Sequence, residues 1–186
     1  MSSFSLIKSA LDNYTPTKLP DDGSIRGAVI VPLFEKNNKI YMLFTKRTEE
    51  LSSHKGQISF PGGKKDKSDS TLISTALRET KEEIGLDSSH IELLGELDQI
   101  KTYGSNVLLS PFVCKIHFPF SLTVNQNEVQ EIIEVPLDEL IRSENWSKKE
   151  VQLADLEDKY IWYFFYKNWV IWGATAKIIK QFLVII

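Results

Sequence analysis

The stretch from Phe60 to Leu86 constrains the fold most. It opens Phe-Pro-Gly-Gly-Lys-Lys-Asp and closes Arg-Glu-Thr-Lys-Glu-Glu-Ile-Gly-Leu. Pro61 fixes its own φ and has no N–H, while Gly62 and Gly63 allow close approach of a ligand to the backbone. Ser68 to Thr71 supplies N-cap candidates for a helix. Leu72, Ile73, Ala76, Leu77, Thr80 and Ile84 recur at helical spacing and predict its buried face. Gly85 stands where a glycine ends a helix. The helix carries Glu79, Glu82 and Glu83, whose offsets of three and four bring side chains together. Like charges so placed repel, and a divalent cation removes the repulsion. Carboxylates without a soft ligand nearby suit Mg²⁺ or Mn²⁺. Arg78 is positioned to pair with a member of the cluster.

This stretch resembles the Nudix box, G-x5-E-x7-R-E-U-x-E-E-x-G-U, where U is apolar. The second half is present from Arg78 to Leu86, with Thr80 at the first U position. The first half departs. Counting from Gly63, the acidic position is Asp69, and eight residues separate it from Arg78, so the loop is one residue longer than the pattern. The resemblance implies an α/β fold, a Nudix-type α/β/α sandwich with a mixed β-sheet. It also implies hydrolysis of a nucleoside diphosphate linked to another group.

Length and charge agree with this class. The 186 residues predict one domain, residues 25–186, preceded by an N-terminal helix and lead-in loop at 1–24. A net charge of −3 argues against a general nucleic-acid surface. No apolar stretch is long enough for a membrane span, and the first residues lack a signal-peptide core. The single cysteine, Cys114, cannot form an internal disulfide and sits in an apolar run, as a buried thiol does. The chain is therefore expected to be cytoplasmic. Its oligomeric state is left open, a homodimer being one arrangement.

Along the chain, residues 4 to 13 predict a short helix with Leu6, Ile7, Ala10 and Leu11 on one face. Arg26–Phe34 and Ile40–Thr45 read as a hairpin around Asn37 and Asn38. Gln57–Phe60 reads as a strand entering the glycine turn. Ile91–Ile100 reads as one strand, and Val107–His117 as another, bulged or at an edge because of Pro111. Val129–Val135 is a strand leading to a helix from Pro136 through Arg142. Glu144–Lys159 is charged and carries no clear pattern. Tyr160–Tyr166 and Trp169–Trp172 form an aromatic hairpin, and Ala174–Val184 a closing helix. Trp162, Trp169 and Trp172 are expected in the core, with stacking on adenine as a second role for one of them.

A second resemblance narrows the substrate. Thr45, Arg47, Gly56, Phe60, Pro61, Gly62 and Gly63 match the motif L-L-T-x-R-[SA]-x3-R-x3-G-x3-F-P-G-G of the coenzyme A pyrophosphatase branch. Thr48 replaces Ser or Ala there, and Ser52 replaces the second Arg. Coenzyme A carries a diphosphate and a 3′-phosphate, so basic residues are needed beside the metal. Arg47, His54 and Lys55 are the substrate-binding candidates, with Gly62 and Gly63; Lys64 and Lys65 flank the same turn. The resemblance implies metal binding by Glu79, Glu82 and Glu83, a base role for Glu79 and an orienting role for Arg78. Glu128, ahead of Glu131, is the candidate for a further acid outside the box. His90 and His117 have no motif around them. The implied partner is a small nucleotide such as coenzyme A or acyl-coenzyme A. Ser52 keeps open ADP-ribose, NADH or a dinucleoside polyphosphate instead. A non-catalytic nucleotide-binding module is disfavoured, because all three box glutamates are intact.

Overall fold

The computed structural model describes residues 3–50, 55–102, 105–150 and 160–186. Helix α1 (Ser3–Asp12) precedes a hairpin of β1 (Ile25–Lys36) and β2 (Lys39–Arg47). Asn37 and Asn38 both have positive φ, 53° and 59°, the two-residue turn whose twist matches the flanking strands. Then follow β3 (Ile58–Ser59), β4 (Gly62–Lys64) and helix α2 (Leu72–Ile84). After α2 come β5 (Ile91–Glu96), β6 (Ile100–Lys101), β7 (Val107–Ile116) and β8 (Val129–Pro136). The chain continues through α3 (Leu137–Ile141), β9 (Trp146–Glu150), β10 (Tyr160–Tyr166), β11 (Trp169–Trp172) and α4 (Gly173–Ile185).

Strands β1 to β8 form one mixed sheet in which β1 pairs parallel with β7 while the other pairings are antiparallel. Strands β9, β10 and β11 form a second, antiparallel sheet. Helix α2 covers one face of the large sheet, where Ala76 packs with Ala28, Ile30, Phe112 and Cys114. The opposite face buries Val29, Val31 and Leu33 under α1, α4 and the small sheet, through Phe4, Ile7, Ile178, Phe182 and Phe164. The α/β sandwich expected from the sequence is thus present.

One feature of this sheet creates the site. Strands β1 and β2 pair only from Leu33 to Lys36 and from Lys39 to Met42. Beyond Pro32 they separate, and residues 57–64 fill the gap. Ser59 and Ile58 pair with Thr45 and Lys46 of β2, while Gly62, Gly63 and Lys64 pair with Val29, Ala28 and Gly27 of β1. Pro61 continues the seam by accepting from the Ile30 N–H at 3.0 Å. The expected glycine turn is therefore a strand wedged into a split sheet.

Four other expectations change. The buried stripe of α1 is Phe4, Ile7 and Leu11, and Leu6 is 59% exposed. Strand β7 is internal, between β1 and β5, and Pro111 pairs opposite Val29; the irregularity falls on β5, between Leu93 and Gly95. The run from Ile91 to Ile100 breaks into two strands because the lead-in segment docks at the gap. There Asp98 accepts from the Tyr14 hydroxyl and the Thr17 N–H, both at 2.6 Å, and Gln99 accepts from the Leu19 N–H at 2.9 Å. Trp172 is 43% exposed and is not part of the core. Cys114 is fully buried, and burial pushes its thiol up to about 12.

Candidate functional site

Helix α2 starts with a complete capping box. Thr71 accepts from the Ser74 N–H and Ser74 from the Thr71 N–H, which satisfies two otherwise orphaned donors. It ends at Gly85, whose left-handed φ of 70° lets its N–H return to the Lys81 carbonyl. Between these caps the helix presents Glu79 and Glu83 toward β4. A Cβ at Gly63 would collide with the Glu79 carboxylate, so glycine is required for that carboxylate to sit against the strand.

Glu83 is only 3% exposed. Its partners are few: the Gly62 N–H at 3.4 Å and the Arg47 guanidinium at 3.8 Å. Burial dominates and pushes its carboxyl up to about 8, against the pull of Arg47 and Gly62; Glu79 and Glu128 add to the rise. Burial also raises Glu79, with Arg78 opposing and Glu82 and Glu128 reinforcing.

Arg78 is the organising cation. Its Nε and Nη2 donate to the two oxygens of Asp69 at 3.0 and 2.9 Å. Its Nη1 lies 2.9 Å from Glu79 and 3.0 Å from Glu82. Nη2 also donates to the Lys64 carbonyl at 3.2 Å, tying α2 to the end of β4. Asp69 is buried, accepts from the Asp66 N–H at 2.8 Å, and is held well below the usual carboxylate range by Arg78. Asp69 thus occupies the acidic position that the longer loop had obscured. The extra residue lies between Asp69 and Arg78; the turn at 66–69 before it is closed by the Asp69 N–H on the Asp66 carbonyl and by the Lys65 ammonium on the Asp69 carbonyl.

Glu128 comes from the loop before β8. The Thr123 and Asn125 N–H groups donate to the Ile84 and Glu83 carbonyls, which binds this loop to the end of α2. Asn125 Nδ2 donates to Glu128 at 3.2 Å and aligns its carboxylate.

These elements enclose a cleft of about 500 Å³. Arg47, Lys64, Glu79, Glu83 and Glu128 line its charged part, and Gly62 and Gly63 its floor. Val29, Val107, Leu109 and Trp172 line its apolar part. Glu82 stands outside the lining, with its carboxylate on Arg78 and a side chain 55% exposed. Lys55 and Glu131 are exposed and also outside it. His54 and Ser52 lie outside the described residues. Sequence reasoning did not place Thr102, Val107, Leu109 or the start of α4 at the site. The only available signal was the alternation in β11, which puts Trp172 on the side opposite the buried Ile171.

Among the described residues, no three His, Cys, Asp or Glu side chains are already gathered into a metal cage. The donors nevertheless fit a hard divalent cation. Glu79, Glu83 and Glu128 offer only oxygens and face one cleft; Glu128 raises the proton affinity of Glu79, and both raise that of Glu83, which a cation would reverse.

A NUDIX domain model matches residues 24–156, and the chain belongs to that family. Nudix hydrolases act on nucleoside diphosphate derivatives and generally use divalent metal ions. The chain is 35% identical over 166 residues to a protein of Photorhabdus laumondii named as an uncharacterized Nudix hydrolase NudL, covering 89% of this chain and 87% of that one. It is 33% identical to the like-named protein of Yersinia pestis, over 84% of this chain and 77% of that one. Among solved structures, a MutT/nudix family protein from Enterococcus faecalis aligns with a TM-score of 0.58 at 16% identity, over all of this chain and 70% of that one. The NUDIX domain of Shewanella oneidensis NrtR, in complex with ADP ribose, aligns at 0.51 and 18% identity, over 72% and 84%. These structural likenesses establish the fold. No helix among the described residues is long and apolar enough to cross a membrane.

Proposed function

We propose that the protein hydrolyses the diphosphate of coenzyme A or acyl-coenzyme A, giving 3′,5′-ADP and the (acyl-)4′-phosphopantetheine. The observation carrying this reading is the position of Arg47. Its guanidinium lines the same cleft as Glu79, Glu83 and Glu128, and its Nε is buried with no hydrogen-bond partner among the described residues. A buried donor without a partner is costly, and a phosphate oxygen would satisfy it. Arg47 ends β2, in the stretch whose motif resembles the coenzyme A branch, and the same motif runs on into the wedge at 57–64 that opens the sheet.

Glu79 and Glu83, with Glu82 or Glu128 completing the set, would hold Mg²⁺ or Mn²⁺, which when bound would supply Lewis acidity toward the diphosphate and a more acidic water. Glu79 orients and deprotonates the attacking water; its burial makes it a stronger base than an exposed glutamate. Arg78, fixed by Asp69, holds the Glu79 carboxylate in place. Glu128 lies across the cleft as a further acid, aligned by Asn125. Arg47 and Lys64 receive the phosphates, with His54 and Lys55 proposed to flank them.

A substrate panel tests the reading. Coenzyme A, acyl-coenzyme A, dephospho-coenzyme A, ADP-ribose and NADH are compared in Mg²⁺ and Mn²⁺, with product masses recorded. Coenzyme A compounds should be turned over fastest, releasing 3′,5′-ADP and no inorganic phosphate. Faster hydrolysis of ADP-ribose or NADH would overturn it.

A further inference from the structure

The apolar part of the cleft has an unassigned feature. Strand β11 ends at Trp172, and the next residue begins α4. Trp172 pairs across the hairpin with Tyr163, and the two rings stack at 6.4 Å between centroids with planes 17° apart. On the other side of this hairpin Phe164 and Ile171 are fully buried, which fixes the alternation. The indole is therefore held by the strand ladder, by the ring behind it and by the helix that starts immediately after it. Yet it remains 43% exposed, and it lines the cleft that also holds Arg47, Glu79 and Glu83. Val107, Leu109 and Ala174 line the same cleft, with Thr102 and Thr175 as polar but uncharged members of the lining.

A large flat ring, preordered by a second ring and left open toward a cleft, suits another flat π system. An indole that only filled space would be packed on both faces, as Phe164 is. A flexible alkyl arm gains from apolar area but not from planarity, whereas a nucleobase gains from both. We propose that Trp172, backed by Tyr163, is the stacking platform for the nucleobase of the substrate. This inference rests on the nucleoside diphosphate reading of the same cleft and adds the residue that holds the base. Charge at one end and a ring at the other would then set the substrate's direction, with the diphosphate over the glutamates and the base on the indole.

The test is calorimetric binding of two probes to the full chain. ADP carries a base, and 4′-phosphopantetheine carries none. Trp172→Phe keeps a flat ring, and Trp172→Leu keeps apolar bulk without one. Because Trp172 is partly exposed, both variants should fold, and thermal melts would confirm it. ADP affinity should fall about ten-fold in Trp172→Leu, by the usual strength of base–aromatic stacking. It should stay within about two-fold of wild type in Trp172→Phe, and 4′-phosphopantetheine binding should change in neither. Loss confined to 4′-phosphopantetheine would assign the ring to the other arm and overturn the proposal. Equal ADP affinity in all three proteins, or none in wild type, would also overturn it. If coenzyme A is not hydrolysed but ADP binding still depends on the ring, the platform stands and only the coenzyme A reading falls.

Discussion

Helices α2 and α4 have the same length, 13 residues, lie on opposite faces of the large sheet, and meet the same cleft in opposite ways. Helix α2 closes its first turn on itself with Thr71 and Ser74, and gives the cleft its second half, where Glu79 and Glu83 lie. Helix α4 has no side-chain cap, and its first turn is what lines the cleft. Its remaining length carries an apolar face secured by Ile178, Ile179 and Phe182, with Lys177, Lys180 and Gln181 interspersed. The difference reflects what each helix must hold. Buried carboxylates weaken α2, so its ends are fastened locally by a capping box and a left-handed glycine. Helix α4 exposes small residues and is fastened by packing.

The comparison makes Glu83 the most sensitive point of α2. Glu83→Gln should lower kcat by about a hundred- to a thousand-fold, the scale of a lost electrostatic contact in the transition state. Its melting temperature in EDTA should hold at pH 6, where Glu83 is already neutral, and rise at pH 8 and above, where the variant removes a buried charge. Glu82→Gln, on the exposed side, should cost less. Equal losses in the two variants would mean that burial does not separate their roles.

Gly63→Ala comes next. The added methyl displaces the Glu79 carboxylate without touching α4, and kcat should drop by about ten- to a hundred-fold with nucleotide binding retained. Unchanged kcat would show that Glu79 need not rest against β4.

The third expectation concerns pH and metal. Glu83 keeps its proton to about pH 8 in the folded chain, against an ordinary value of 4.5 when unfolded. The folded state therefore binds more protons between those limits, and stability falls as pH rises through that window. Metal-free melting temperatures should decline from pH 5 to pH 8, and added Mn²⁺ should raise them more at pH 8 than at pH 6. A flat profile in EDTA would contradict the burial of a charged Glu83. Thr71→Ala should have the smallest effect, about 1 kcal/mol of stability with kcat unaltered, since the cap is remote from the acids. A comparable fall in kcat would mean that the cap positions the glutamates as well.

Features written in neighbouring residues were legible in the sequence. The Asn37–Asn38 hairpin, the caps of α2 and its glutamate cluster all follow from local spacing. What was not legible depends on partners far along the chain. Pro111 reads as an edge signal, but the β5 bulge absorbs the irregularity. Asp69 lies off the expected spacing, and only its two hydrogen bonds to Arg78 identify it. Glu79, Glu82 and Glu83 are equivalent in sequence. They separate once β4 buries Glu83 and leaves Glu82 outside. Trp172 resembles the other tryptophans until the strand order shows which way its ladder faces.

The strand wedged between β1 and β2 makes some places in this chain tolerant of insertions and others not. The turn at 65–70 is held mainly by Asp69, so an added residue can loop outward there while the carboxylate still reaches Arg78. Residues 57–64 are registered against strands on both sides, and losing one residue between Ser59 and Gly62 cannot be absorbed. A slip of one position inverts every side chain's direction. Lys64 would then lie under Glu79 where Gly63 had been, and the two halves of the sheet would be spaced for a different molecule.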